Sequence, residues 1–114
     1  MYYNKELSNI YLDCLEKEIE MYYEGDTVKT IYVGGGTPSS LDTDNLNKLF
    51  RIINKFKISS DAEFTFECNI DDINDELLTI LKENHVSRIS IGVESFNKDK
   101  LKYLNMDLII LMLI

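Results

Sequence analysis

The sequence predicts an α/β fold, a partial (β/α) barrel of about three parallel strands with helices on the outer face. Three observations lead there. Helical and strand periodicities alternate along the chain. Each strand is apolar on one face and small or polar on the other. The polar groups gather towards the C-terminal strand ends, where barrels of this type place their sites. Strands alternating with helices imply parallel strands joined by right-handed crossovers. An open sheet with helices on both sides is apolar on both faces, so the one-sided pattern favours a ligand-holding lumen. A flavodoxin-like open sheet is the alternative on pattern alone.

The first helix carries Leu7, Tyr11, Cys14, Leu15, Ile19 and Tyr22 at helical spacing, with Glu and Lys on the other face, and Gly25-Asp26 ends it. Lys29 to Val33 reads as a short strand, with Ile31 and Val33 opposing Thr30, Tyr32 and Gly34. Asp42 or Thr43 can cap a second helix with the stripe Leu46, Leu49, Phe50, Ile53 and Phe56. Glu63 to Asn69 is a strand in which Phe64, Phe66 and Cys68 point one way and Thr65, Glu67 and Asn69 the other. Asn74 can cap a third helix carrying Leu77, Leu78 and Leu81. Arg88 to Glu94 is a strand, with Ile89, Ile91 and Val93 opposing Arg88, Ser90, Gly92 and Glu94, and Asn97 can cap a last helix with Leu101 and Leu104.

Composition narrows the function. With 45% apolar and 28% charged residues in 114, the chain affords a core. A net charge of -8 argues against nucleic acid as partner, since phosphate binding needs clustered Lys and Arg. Cys14 and Cys68 are too few for a disulfide scaffold. The opening Met1-Tyr-Tyr-Asn-Lys-Glu-Leu lacks the apolar core of a signal peptide. The apolar run Leu108 to Ile114 falls well short of the ~20 residues of a membrane-spanning helix. A cytoplasmic location is the expectation.

The stretch TIYVGGGTPSSL, residues 30–41, holds three of the five glycines and the only proline. Glycines after a strand let the backbone approach a ligand and present N–H groups to it. A phosphate-binding P-loop would need Gly-Lys-Ser/Thr, and no lysine follows. The dinucleotide fingerprint would need a third glycine spaced to enter a helix, which Gly34-Gly35-Gly36-Thr37-Pro38 does not provide. The proline also opposes immediate helix entry. The loop therefore suits a carboxylate or amino group better than a pyrophosphate; an ordinary β-to-α turn is the plain alternative.

TIYVGGGTPSSL, EFTFECNIDD and SRISIGVESFNKDKLKYLN follow one another at β-α spacing. Together they resemble the radical S-adenosylmethionine family that contains anaerobic coproporphyrinogen III oxidase and the HemW-type heme chaperones. The helix with YLDCLEKEIE looks like the helix that precedes the family's glycine loop. The resemblance covers about residues 6 to 105. It implies a partial α/β barrel with S-adenosylmethionine bound at the C-terminal strand ends. By position, Gly35, Gly36 and Thr37, with Gly34 beside them, would hold its methionine part. Glu67 and Glu94 would be its polar side-chain contacts, and the face pattern independently points both into the lumen.

The family's three-cysteine run, C-x3-C-x2-C, ligates a [4Fe–4S] cluster and is absent here; Cys14 and Cys68, each in an apolar stripe, read as core residues. Glu94 stands where the family has Gln, Ile70 where it has proline, and His85 where glycine is usual. Residues 1–105 are accordingly read as a partial core domain and 106–114 as an aberrant apolar tail. Two functions follow. The chain is the adenosylmethionine-binding part of a protein of heme metabolism, closer to the chaperone branch, with heme or coproporphyrinogen III as partner. Alternatively it is a non-catalytic truncated or frameshifted remnant. A small flavodoxin-like binding module is a third reading.

Overall fold

Capping chemistry sets where the helices begin. The computed structural model describes residues 4–35, 38–91 and 110–113. Helix α1, Lys5–Tyr22, starts where the Asn4 side chain accepts the Leu7 N–H. Helix α2, Thr43–Ile53, starts where Asp42 accepts the Asn45 N–H, and α3, Asp75–Glu83, where Asn74 accepts the Leu77 N–H. Asn74 is the cap the sequence predicts, and Asp42 is one of its two candidates, with Thr43, for α2. Between the helices lie β1 (Thr27–Val33), β2 (Lys57–Cys68) and β3 (Arg88–Ile91), and Ile110–Leu113 forms β4. Short 3₁₀ turns occupy Pro38–Ser40 and Ile70–Asp72.

The sheet has the order β1-β2-β3-β4. Strands β2 and β3 pair in parallel with Glu67 opposite Ser90 and Cys68 opposite Ile91, and β3 pairs in parallel with β4. Three parallel strands in one sheet with helices, the architecture expected, are therefore present. Ile110–Leu113, set apart as a tail by its composition, takes the place beside β3. The helix capped by Asn97 and the strand beyond Ile91 lie outside the described residues. Strand β2 begins at Lys57, earlier than its apolar alternation announces, because that periodicity only becomes regular from Glu63.

The chain divides into two compact units. The first comprises residues 1–29 and 41–62, in which α1 packs on α2. Its buried side chains are Leu12, Leu46, Leu49, Phe50, Ile52 and Ile53. The α1 face is rotated from the expected stripe: Leu12 is buried, whereas Leu7, Tyr11 and Tyr22 are exposed, and so is Cys14, which is not a core residue. Packing on α2 selects the rotated stripe, and ion pairs run along the seam. Lys48 bonds Asp13 and Asn9, Lys55 reaches Glu16 and Glu20, and Lys5 lies near Asp42 and Asp44. Phe56 ends outside α2 and meets Tyr23 edge-on, ring centres 4.7 Å apart.

The second unit comprises residues 30–40 and 63–114. Its core is Phe64, Phe66 and Cys68 from β2, Ile89 and Ile91 from β3, Leu77 and Leu81 from α3, with Ile70, Ile73 and Val86. Fully burying such a side chain contributes about 1.5–3 kcal/mol. Helix α3 closes in a Schellman pattern: Val86 N–H donates to Leu81 C=O at 3.1 Å and His85 N–H to Lys82 C=O at 3.1 Å. His85 carries the left-handed residue of that pattern, at φ 65°. That is the physical reason a glycine suits the position. No helix among the described residues is long and apolar enough to cross a membrane.

Candidate functional site

Within the second unit, β1 ends in Val33 and the chain turns through Gly34 and Gly35. Gly35 has φ +79°, a conformation that L side chains resist. Gly34 is required for space: a Cβ there would lie 2.8 Å from Glu67 Oε2 and would run into the Tyr32 ring. The loop therefore leaves the β1 end with its backbone against the Glu67 carboxylate.

Glu67 is half-buried near the end of β2, and both its oxygens hold donors. Tyr32 Oη donates to Oε1 at 2.7 Å, and the Gly35 N–H donates to Oε2 at 3.0 Å. Such bonds to a carboxylate are charge-assisted and among the stronger ones in proteins. Donation to Glu67 raises the Tyr32 phenol above the usual tyrosine range, while Ser90 acts in the opposite sense. Ser90, register partner of Glu67 on β3, is 2% exposed. Among the described residues its Oγ has no hydrogen-bond partner. A buried unpaired hydroxyl is costly.

A second polar cluster anchors the turn after the glycines. Ser39 is buried; its Oγ accepts the Asn69 N–H at 2.8 Å and donates to Asp72 Oδ2 at 2.9 Å. Cys68, beside these groups, is pushed up to about 12, by burial first and then by the Asp72 carboxylate. Asn69 in turn caps the Ile70–Asp72 turn through the Asp71 N–H.

Of the residues read from the sequence, Gly34, Gly35 and Glu67 come together. Gly36, Thr37 and Glu94 lie outside the described residues. Tyr32, Ser90 and Ser39 were not named as site residues. Strand alternation carried the signal for two of them: Tyr32 shares a face with Gly34, and Ser90 shares one with Arg88. Nothing in the sequence marks the pairing of Ser39 with Asp72.

The donor set fits a ligand with its own N–H or O–H groups: a carboxylate, a phenol, an unpaired buried hydroxyl and a glycine backbone that a side chain would obstruct. It does not fit an iron–sulfur cluster. Cluster ligation requires several thiolates at short spacing. Cys14 is exposed on α1, and Cys68 is buried with its thiol held protonated. Among the described residues no group of three or more His, Cys, Asp and Glu side chains is placed to hold a metal ion. The groove beside α1 and α2, lined by Lys5, Asn9, Asn45, Lys48 and Arg51, lies in the first unit, and its Lys5 and Lys48 are already ion-paired.

Comparison with known proteins places these residues in context. The sequence profile of the Radical SAM superfamily matches residues 4–108. The heme chaperone HemW of Bacillus subtilis is 47% identical over 98 residues, 81% of this chain and 26% of the relative. The oxygen-independent coproporphyrinogen III oxidase of Escherichia coli is 32% identical over 99 residues, 83% of this chain and 22% of the relative. Among solved structures, coproporphyrinogen III oxidase (HemN) from Escherichia coli, described as a radical SAM enzyme, aligns with a TM-score of 0.74. It is 29% identical and covers 93% of this chain and 25% of that one. The chain thus spans about a quarter of the length of the curated relatives it matches.

Proposed function

The chain belongs to the Radical SAM superfamily, related to the heme chaperone HemW and to coproporphyrinogen III oxidase, and from that premise we propose that it binds S-adenosylmethionine at the end of β1 and β2. The arrangement that carries this reading is Glu67 beside Gly34 and Gly35, a half-buried carboxylate next to a backbone stripped of side chains. Glu67 would accept hydrogen bonds from the ammonium or a ribose hydroxyl. Gly35, with Gly34, Gly36 and Thr37, would border the methionine part, and Glu94 would be the second acidic contact. When bound, S-adenosylmethionine supplies the sulfonium on which the family's chemistry depends. No step through a cluster is assigned to these residues, since Cys14 and Cys68 do not fit one.

For the whole protein we propose a role in heme metabolism nearer to the chaperone branch, with heme or a porphyrin as partner and a cytoplasmic setting. Supporting it is the higher identity to HemW sequences, 47% and 39%, than to the oxidase, 32%. The second reading, a non-catalytic chain without cluster binding, is supported by the protonated, buried Cys68 thiol. Titration calorimetry of the full chain with S-adenosylmethionine tests the site. Binding that weakens about 10- to 100-fold in Glu67→Gln is the expected result, since bonds to a charged acceptor are at stake. Undiminished binding in Glu67→Gln would overturn the assignment.

A further inference from the structure

Glu67 is gripped by two donors from one short segment. Tyr32 Oη donates to Oε1 at 2.7 Å and the Gly35 N–H to Oε2 at 3.0 Å, while Gly34 between them leaves room for the carboxylate. An ionised carboxylate offers about four acceptor positions on its two oxygens. Two are taken, so a ligand N–H or O–H can be accepted beside them with neither bond broken. What the two bonds supply is orientation. Glutamate is among the side chains with the most rotamer freedom to lose when fixed. Glu67 is only half-buried, and its two bonds settle where the carboxylate lies before any ligand arrives. The Gly35 bond comes from the backbone. The Tyr32 bond depends on its side chain, and phenylalanine would keep the ring and remove the donor.

We propose that Tyr32 is a positioning residue for ligand recognition: its phenol holds the Glu67 carboxylate in the orientation that receives a ligand's N–H or O–H donor. The inference rests on the S-adenosylmethionine reading of the site and names the residue that tunes its acidic contact. Preorganisation raises affinity because the cost of ordering Glu67 is met in folding and not again in binding. The phenol acts through Glu67 alone, so its gain is confined to the ligand group that Glu67 accepts. A bond that merely tied β1 to β2 would change stability and leave affinity as it was.

The experiment is calorimetric titration of the full chain with S-adenosylmethionine, in wild type, Tyr32→Phe, Glu67→Gln and the pair. Expected is affinity about three- to tenfold lower in Tyr32→Phe, the ordering cost of one long side chain. In the Glu67→Gln background the same substitution should cost clearly less. Unchanged or higher affinity in Tyr32→Phe overturns the positioning role and leaves the binding site standing. An equal loss in both backgrounds means that the phenol acts on the ligand directly or through the fold, which overturns it too. L-Methionine, which carries the ammonium, and methylthioadenosine, which carries the ribose hydroxyls, give a second readout. The fragment that binds more weakly to Glu67→Gln should be the one that weakens in Tyr32→Phe, and a loss confined to the other fragment is incompatible with action through Glu67. Ultraviolet titration of tyrosinate, each chain against its Tyr32→Phe counterpart, needs no ligand. The Tyr32 ionisation should be raised in wild type and fall in Glu67→Gln; an ordinary ionisation in wild type means that the phenol does not hold Glu67 and ends the proposal. A raised ionisation with no S-adenosylmethionine binding in any variant, wild type included, overturns the S-adenosylmethionine reading and the inference with it.

Discussion

Tyr32 Oη sits 2.7 Å from Glu67 Oε1, joining the last turn of β1 to the end of β2 across a gap of 35 residues in sequence. The bond exists because Gly34 leaves room for it. A methyl group at position 34 would lie 2.8 Å from Glu67 Oε2 and against the Tyr32 ring, closer than real Cβ atoms come. Gly34→Ala should therefore break the Tyr32–Glu67 bond, at a cost of about 1–3 kcal/mol from overpacking. Urea denaturation measures the loss. The tyrosinate titration should move down in parallel, because the donated hydrogen bond is what raises the phenol. Unchanged stability together with an unchanged titration would show that the loop shifts freely.

Ser39 is a separate test of the turn that follows the glycines. Its hydroxyl both accepts from Asn69 N–H and donates to Asp72, and it is 7% exposed. Ser39→Ala strands a backbone donor and a carboxylate oxygen at once. The expected destabilisation is about 1–3 kcal/mol. Ser39→Cys, which keeps a weak donor and acceptor, should recover part of it. A loss below about 0.5 kcal/mol in Ser39→Ala would mean that water replaces the hydroxyl.

What the sequence disclosed follows from which interactions are local. Caps and periodicities depend on neighbours within four residues, so Asn74 was legible, Asp42 was one of two candidates with Thr43, and the buried apolar positions Phe64, Phe66, Ile89 and Ile91 could be read, although Thr65 and Ser90 on the opposite faces are buried too. The glycine loop was legible as a close approach, although only the fold shows that Glu67 is what it approaches. The stripe of α1 was misplaced because Leu7, Tyr11 and Cys14 satisfy helical spacing equally well. The choice of Leu12 is made by packing on α2. Tyr32 to Glu67 and Ser39 to Asp72 pair across 35 and 33 positions, a separation that no local pattern encodes.

His85 holds the left-handed position that ends α3, with φ 65°. A non-glycine residue pays about 1–2 kcal/mol for that conformation, and glycine gives back about 0.4–1 kcal/mol in unfolded-state entropy. His85→Gly should consequently stabilise the chain by roughly 0.5–1 kcal/mol. His85→Ala keeps the Cβ and should show no such gain. Thermal melts of the two variants beside the wild type decide the point, and equal midpoints for His85→Gly and His85→Ala would rule the strain out.

The two cysteines should part company in reactivity. Cys14 is exposed on α1. Cys68 is buried, and burial with the nearby Asp72 carboxylate pushes its thiol up to about 12. The thiolate is the reactive form, so at pH 8 iodoacetamide should label one thiol per native chain, at Cys14, and both in denaturant. Linkage gives the sign of the stability effect. A thiol that ionises near 9.0 when unfolded and at about 12 when folded keeps more protons in the native state through that interval. Its contribution is complete below pH 9 and is lost as pH rises towards 12. Cys68→Ala should accordingly flatten the alkaline limb of the stability curve while costing some packing at neutral pH. Rapid native labelling of Cys68 at pH 8, with the fold intact by circular dichroism, would contradict its burial.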